Sequence, residues 1–501
     1  MLFNSIDFMI FFPVVVGVYF LIPRRARYLW LLLSSYYFYM SWNPEYALLI
    51  AGSTLATYAS GRLLARLQKA PARPKTSPYK KWVVAVCLAV NLGILVFFKY
   101  SDFILNNFNH MLSVLGVARI QRKFDILLPV GISFYTFQAL GYTIDVYRGT
   151  VEAEKNLFRY ALFVSFFPQL VAGPIERSGN LIAQLNHVED IRLWDYERIT
   201  GGAVLMLWGL FQKMVIADRA AVFVNTAYNG YWHYGSIELI LATVLFALQI
   251  YCDFASYSLI AVGAARIMGI RLMENFNTPY FARSIREFWR RWHISLSSWF
   301  RDYLYIPLGG SRCSKLRYYG NLMITFLVSG LWHGASWNFV VWGGLHGVYQ
   351  VIGDRLEPVK RQMEKRFSVN RDCFSYKLGQ VLVTFALVNF SWVFFRAVSL
   401  KEAVSILGRI TTKWNLWVLS DQSLYRLGLD VTEVHILAIS LLTLFIVDWV
   451  KYKTGKTIDL VLREQVLWFR WLALFALLFG IIIYGMYGPA YSAAAFIYFQ
   501  F

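Results

Sequence analysis

Charged residues are scarce in this chain: Asp, Glu, Lys and Arg make up 16% of its 501 residues, against roughly 25% in an ordinary soluble domain. Any long polar interval is missing as well. Apolar runs recur from Phe8 to Tyr487, which leaves no room for a separate soluble domain. The four cysteines (Cys87, Cys252, Cys313, Cys373) lie far apart with no C-x-x-C spacing, so neither a disulfide framework nor a zinc site is indicated. Proline is rare, and three of the 13 fall within Ala70 to Pro78, a stretch that reads as a short basic loop. No fixed-period repeat is visible. What is present is a chain 58% hydrophobic and 18% aromatic, the composition of an all-α polytopic integral membrane protein that forms one unit over 1–501.

The excess of 49 Lys plus Arg over 29 Asp plus Glu, a net +20, would suggest nucleic acid in a soluble protein. Here the basic residues sit mainly between apolar runs, where they hold loops on the cytoplasmic side and meet anionic lipid. No nucleic-acid partner is expected. Roughly 11 to 12 spans of about 20 residues are expected, near 6–22, 28–42, 46–65, 82–98, 126–144, 157–175, 201–224, 238–265, 320–352, 378–395, 434–450 and 466–487. Arg24, Arg25 and Arg27 follow the first apolar run instead of preceding it, and no small-residue cleavage site follows. That run is therefore read as an uncleaved span with the N-terminus outside.

Counting single crossings then breaks down in the middle. Residues 266–319 fall outside, although eight Lys or Arg stand between Arg283 and Arg317 against only Glu287 and Asp302. A broken or re-entrant span between 201 and 280 would resolve the conflict, and irregular backbone at membrane depth points to a site. The same segment carries a helical pattern: Ile285, Phe288, Trp289, Trp292, Leu296 and Trp299 share one face, while Arg286, Arg290, His293 and Ser297 form a polar stripe. Cations on that stripe would push the His293 pKa down.

Soluble-enzyme motifs fail. Gly455-Lys456-Thr457 lacks the opening glycine of a phosphate loop, since Val450 stands there. Gly334-Ala335-Ser336 and Gly131-Ile132-Ser133 lack the closing glycine of a nucleophile elbow. The seven histidines show no compact ligand spacing, so no metal is expected. His333 is the sharpest candidate, because an ionisable residue inside an apolar run is costly and marks function by default. Helix packing, with Gly330 and Gly334 as small residues and His333 as hydrogen-bond glue, is the competing explanation. It applies more strongly to His346, which is read as structural. Asp253 and Asp145 stand at span ends, where pairing with arginine is the commoner role. Cys252 reads as inert packing, and Cys313 as a solvent-facing thiol.

Taken in order, Leu128-Pro129-Val130-Gly131-Ile132-Ser133-Phe134-Tyr135, Ile144-Asp145-Val146-Tyr147-Arg148-Gly149, Phe167-Pro168 and Ala172-Gly173-Pro174 resemble the membrane-bound O-acyltransferase family. Its bacterial branch with the membrane component of alginate O-acetylation is the most similar. Glu274-Asn275-Phe276, Glu287 to Ser297, Arg301-Asp302-Tyr303-Leu304-Tyr305 and Gly330-Leu331-Trp332-His333-Gly334 continue the resemblance, with order and spacing agreeing over about 130–350. Where family members read Asp-Phe-Ser-Gly-Tyr-Ser-Asp, this chain reads Asp253-Phe254-Ala255-Ser256-Tyr257-Ser258-Leu259, so a second acid is missing at Leu259.

The resemblance implies a funnel or tunnel through the membrane, with His333 catalytic and His293 its companion. It also implies an acyl group, most simply acetyl, moved from a cytosolic thioester such as acetyl-CoA to a hydroxyl of a cell-envelope polysaccharide or peptidoglycan. Transfer would run directly or through a separate extracytoplasmic transferase, in the bacterial cytoplasmic membrane and with no permanently bound cofactor. Arg286 and Arg290 would attract the donor's phosphates. Trp289, Trp332 and Tyr257 would wall the tunnel, with Asp253 and Asp302 as further substrate-binding candidates. A transporter that binds substrate without covalent chemistry and a catalytically silent export scaffold stay open as alternatives.

Overall fold

The computed structural model describes residues 1–69, 78–120, 128–171 and 173–487; the basic loop read at Ala70 to Pro78 lies, except for Pro78, outside them. The described residues form helices and connecting turns, with no strand among them. Six of these helices are long and apolar enough to cross a bilayer. The chain divides into two compact units.

The first unit comprises Met1–Ala203 and Ala261–Met273. It opens with α1 (Ile6–Leu21), whose first turn is capped by the Ser5 hydroxyl accepting the Phe8 N–H. Next come α2 (Arg27–Met40), α3 (Tyr46–Lys69), α4 (Pro78–Val114) and α5 (Ile132–Arg148). α3 meets α5 at Gly61, where a Cβ would stand 2.7 Å from the Tyr142 ring. The expected span at 157–175 is not one helix. It is α6 (Leu157–Ser165) and α7 (Phe167–Leu170), because Phe166 takes an extended ψ of 110° and Pro168, which has no N–H to give, opens the next turn. At about 1.5 Å per residue, α6 rises only ~14 Å, about half of a ~30 Å hydrocarbon core. α8 (Ser178–Leu185) follows.

The long helices α9 (Tyr196–Asn229) and α10 (Ser236–Ile267) contribute residues to both units. They correct a second expectation, since neither is broken. α9 instead absorbs one π-helical stretch at Gln212–Ala217, a local widening that often accompanies function.

The second unit comprises Val204–Ile260 and Glu274–Phe501. Beyond the inner parts of α9 and α10 it holds α11 (Ile285–Arg291), α12 (Ile294–Phe300), α13 (Lys315–His333) and α14 (Trp337–Arg366). α15 (Phe374–Arg396), α16 (Leu400–Thr412), α17 (Val431–Thr454), α18 (Ile458–Arg463) and α19 (Leu467–Tyr484) complete it. The apolar run 320–352, expected as one span, is a hairpin of α13 and α14, turned by extended backbone at Gly334 and Ser336. Glycine lets the two backbones touch: a Cβ on Gly330 would lie 2.2 Å from the Phe339 carbonyl oxygen, and one on Gly343 would lie 2.2 Å from that of Phe326. Small-residue packing of this kind holds helices together where lipid removes the hydrophobic drive.

The polarity of this unit is inverted relative to a soluble core. Leu472 and Ile483 on α19 are 59% and 64% exposed, while Lys213, Asp218, Asp253, His293, His333 and His346 are buried. Apolar side chains facing outward suit hydrocarbon, and the polar groups are kept inside because there they find one another.

Candidate active site

The pattern read as one amphipathic helix over 285–299 breaks in the middle. Trp292 is extended (ψ 129°), and His293 takes a left-handed conformation at φ 44°, ψ 53°. A non-glycine residue held there carries strain that the surrounding structure must overcome. Two backbone hydrogen bonds to the strand-like segment after Glu274 hold the corner: Ile294 N–H donates to the Asn275 carbonyl and Asn277 N–H donates to that of Arg291, both at 2.9 Å. The consequence is geometric. Arg286 and Arg290 remain exposed on α11, whereas His293 swings inward to complete burial.

His293 therefore does not share a stripe with the arginines, and the cause proposed for its pKa is corrected. The residue lies outside the six long apolar helices. Burial is what pushes its pKa down, since a charged imidazolium would lose its hydration there. The ring packs at 4.6 Å on Phe254 and at 6.0 Å on Trp332, and its centroid is 6.2 Å from that of His333. His333 ends α13, 3% exposed, edge-on to Trp332 and Trp342 at 5.0 Å each. The two histidines singled out by sequence are thus side by side.

A cavity of about 510 Å³ opens between the basic segment and α13, and neither histidine is among the residues that line it. Arg286, Arg290 and Arg301 line it, together with Trp289, Ser297 and Ser329. Its wall includes Ile294, the residue after His293, and Ser329, one helical turn before His333 on the same face of α13. Arg286 pairs with Asp354 at 3.4 Å. Trp289 contributes its ring to the wall while its indole N–H is committed to His346 Nδ1 at 3.2 Å. Asp302 sits on the π-helical turn Arg301–Tyr305 and pairs with Arg301 at 2.8 Å.

Asp253, Tyr257, Asp302 and Trp332, the last expected as a wall, are not among the residues lining that cavity. Asp253 pairs with a lysine: Lys213, on the π-helical stretch of α9, stands 2.5 Å from Asp253 and 2.8 Å from Asp218, all three buried. Tyr257 places its ring 6.0 Å from the Lys213 ammonium. Asp145 accepts a hydrogen bond from the Ser178 hydroxyl at 2.8 Å. Sequence reasoning passed over Lys213, although a lysine inside the run 201–224 carries the signal that marked His333. It quoted Asn275 only as part of a motif and gave it no role.

His346, read as structural, is buried with polar partners at both ring nitrogens. Trp289 Nε1–H reaches its Nδ1, and Ser391 Oγ lies 2.9 Å from its Nε2.

Comparison with known proteins places this architecture. A family model described as the membrane-bound O-acyltransferase family matches residues 151–399. The chain is 38% identical over 445 residues to the probable alginate O-acetylase AlgI of Pseudomonas aeruginosa, covering 89% of this chain and 81% of that protein. It is 34% identical over 440 residues to the peptidoglycan O-acetyltransferase of Helicobacter pylori, covering 81% and 79%. The teichoic acid D-alanyltransferase of Bacillus subtilis is 29% identical over 240 residues, covering 45% and 58%. A helical membrane protein with two buried histidines behind a cavity is thereby assigned a class, that of membrane acyltransferases. The chain belongs to the membrane-bound O-acyltransferase family.

Proposed function

We propose that this enzyme moves an acetyl group from acetyl-CoA to a hydroxyl destined for a cell-envelope polysaccharide or peptidoglycan, with His333 as general base. The observation that carries the reading is the convergence of His333 and His293 at 6.2 Å, next to a cavity that arginines line and whose wall includes Ile294 and Ser329, close neighbours of the two along the chain. Alginate and peptidoglycan are what two of its relatives are named for. The attacking hydroxyl oxygen bonds to the thioester carbonyl carbon as its proton passes to the His333 imidazole. The C–S bond then breaks, and the departing thiolate recovers that proton. Such general-base assistance contributes about 10²- to 10⁴-fold. His293 orients the donor or shares the proton. Arg286 and Arg290 meet the donor's phosphates, Trp289 forms a wall, Trp332 packs on both histidines, and Asp253, Tyr257 and Asp302 support the site from outside the contact surface. An extracytoplasmic transferase, acylated first, is the expected partner where transfer to the glycan is indirect, and 1–501 acts as one domain.

The site sits in the bacterial cytoplasmic membrane with the N-terminus outside, and the helix lengths support this topology. Because α6 and α7 are too short to cross, and 320–352 is a hairpin that leaves and returns, the count changes parity twice. Residues 266–319 and the basic stretches near 354–377 and 451–456 then all fall on the cytoplasmic side, as lysine and arginine require. Cysteines placed at Arg312 and Lys315, with the native four removed, should react with impermeant reagents from the cytoplasm; labelling from outside alone would overturn the topology.

The function itself is tested by incubating the purified protein in lipid with labelled acetyl-CoA and an oligosaccharide acceptor. Cleavage of the thioester with label on acceptor or partner is the expected result. Movement of substrate across the vesicle with the thioester intact would favour a transporter instead.

A further inference from the structure

We infer that Asn275 is a positioning residue that locks His293 in the tautomer protonated on Nδ1, so that Nε2 offers a lone pair to the site. The argument rests on the proposed function only for its consequence. The tautomer follows from hydrogen bonding alone.

Amide oxygen and nitrogen are assigned from the surrounding network, and here the network leaves one choice. The Ser295 backbone N–H, which can only donate, lies 3.2 Å from Asn275 Oδ1, and the Ser295 hydroxyl donates to the same atom at 2.9 Å. The atom that accepts both must be the oxygen. His293 Nδ1 lies 3.2 Å from that oxygen, which has no proton to give, so Nδ1 carries the hydrogen. In a neutral imidazole the other nitrogen then holds the lone pair.

Asn275 also fixes the ring's position through its backbone, since its carbonyl accepts from Ile294 N–H and clamps the left-handed corner at His293. One residue thus sets both where the imidazole points and which nitrogen is basic, as an outer partner does for a histidine bound to a metal. Of the rings that stand against His293, those of Phe254, Phe276, Trp332 and His333, the His333 imidazole is the ionisable one. The nearest carboxylate on α10, Asp253, is engaged by Lys213. His293 thereby enters the reaction as a proton or hydrogen-bond acceptor, which assigns to its neighbourhood the side of the substrate that donates: the acceptor hydroxyl, or the protonated form of His333.

Three variants and one spectrum test this. In protein labelled with ¹⁵N-histidine, the His293 signal, identified by its loss in His293→Gln, should report Nδ1–H in the wild type; Nε2–H would overturn the inference without reference to activity. Asn275→Asp keeps an oxygen at the same place but adds charge. It should retain turnover at high pH and move the acidic limb of the pH–rate profile upward by about one to three units, because the carboxylate favours imidazolium. Asn275→Ala, compared at equal folded fraction in detergent, should lower kcat by about 10- to 100-fold with little change in KM. A wild-type pH limb in Asn275→Asp, or a wild-type kcat in folded Asn275→Ala, would overturn the positioning role. If His333→Ala retains acyl transfer, the functional reading fails instead, and the tautomer spectrum still judges this one.

Discussion

His346 and the pair formed by His293 and His333 lie in the same unit and are buried to the same degree, yet they are wired differently. At His346 the Trp289 indole donates to Nδ1, so Nε2 carries the hydrogen and donates it to Ser391 Oγ, whose own hydrogen goes to the Val388 carbonyl at 2.7 Å. The chain of donors starts on a side chain and ends on backbone, and it ties α11, α14 and α15 together. At His293 one nitrogen is held by Asn275 and the ring stands against that of His333 behind a cavity wall. Burial of an ionisable group thus does not distinguish chemistry from scaffolding. What marks His346 is a chain of donors that runs through both of its nitrogens and ends on backbone.

The sharpest way to break this comparison is to remove one histidine from each region. His333→Ala should abolish acyl transfer, a loss of at least the ~10²- to 10⁴-fold that a general base supplies, while thermal stability in detergent stays close to wild type. A His333→Ala protein that melts early and regains activity at low temperature would make His333 a packing residue.

The ionic cluster offers the next largest effect, on folding. Lys213→Met leaves the buried Asp218 and Asp253 carboxylates without the ammonium that both contact. Breaking a buried pair from one side costs about 3–5 kcal/mol, read as a lower melting temperature and reduced yield. Adding Asp253→Asn should recover part of it, and no recovery would mean that the cluster is not held by charge balance.

His346→Ala should cost about 1–3 kcal/mol, chiefly by leaving the Trp289 N–H in the interior with no acceptor. Transfer per folded molecule should remain. Loss of turnover in fully folded His346→Ala would erase the distinction drawn between the two regions.

How much of this was legible in the sequence depends on the distance over which each signal acts. Composition and apolar run length report the helix-in-lipid environment directly, and the ends of α9, α10, α15, α17 and α19 follow from them. Backbone breaks were less legible. Phe166-Phe167-Pro168 and Gly334-Ala335-Ser336 interrupt runs that are apolar on both sides of a short break, so the run at 157–175 and that at 320–352 each read as one span. The turn at His293 was hidden for another reason. Histidine is enriched among left-handed residues, but too weakly to mark a turn inside a helical pattern, and the corner is held by Asn275, eighteen positions earlier, which accepts its hydrogen bonds. His293 and His333 were found by motif and by cost at membrane depth, but their adjacency, and the separation of His293 from the arginines, required the fold.

That separation yields the smallest predicted effect and the finest test of the comparison. Had the arginines and His293 shared one helical face, replacing Arg286 or Arg290 by Gln would have raised the histidine's pKa and moved the acidic limb of the pH profile upward. The broken helix leaves both guanidiniums at the exposed side of the cavity, Arg286 with 51% of its side chain in contact with solvent. A charge so placed acts on a phosphate-bearing donor through screened Coulomb attraction and reaches the buried imidazole weakly. Each substitution should therefore raise KM for acetyl-CoA by no more than about fivefold, equivalent to ~1 kcal/mol. The effect should shrink as salt is raised from 50 to 500 mM, a range over which the Debye length falls from roughly 14 to 4 Å. The pH limb should stay where it is in both variants, because burial sets the His293 pKa and neither arginine contributes to it. A limb that moves upward in Arg290→Gln would put the guanidinium back beside the imidazole and make the mouth of the cavity and the histidine pair one electrostatic unit.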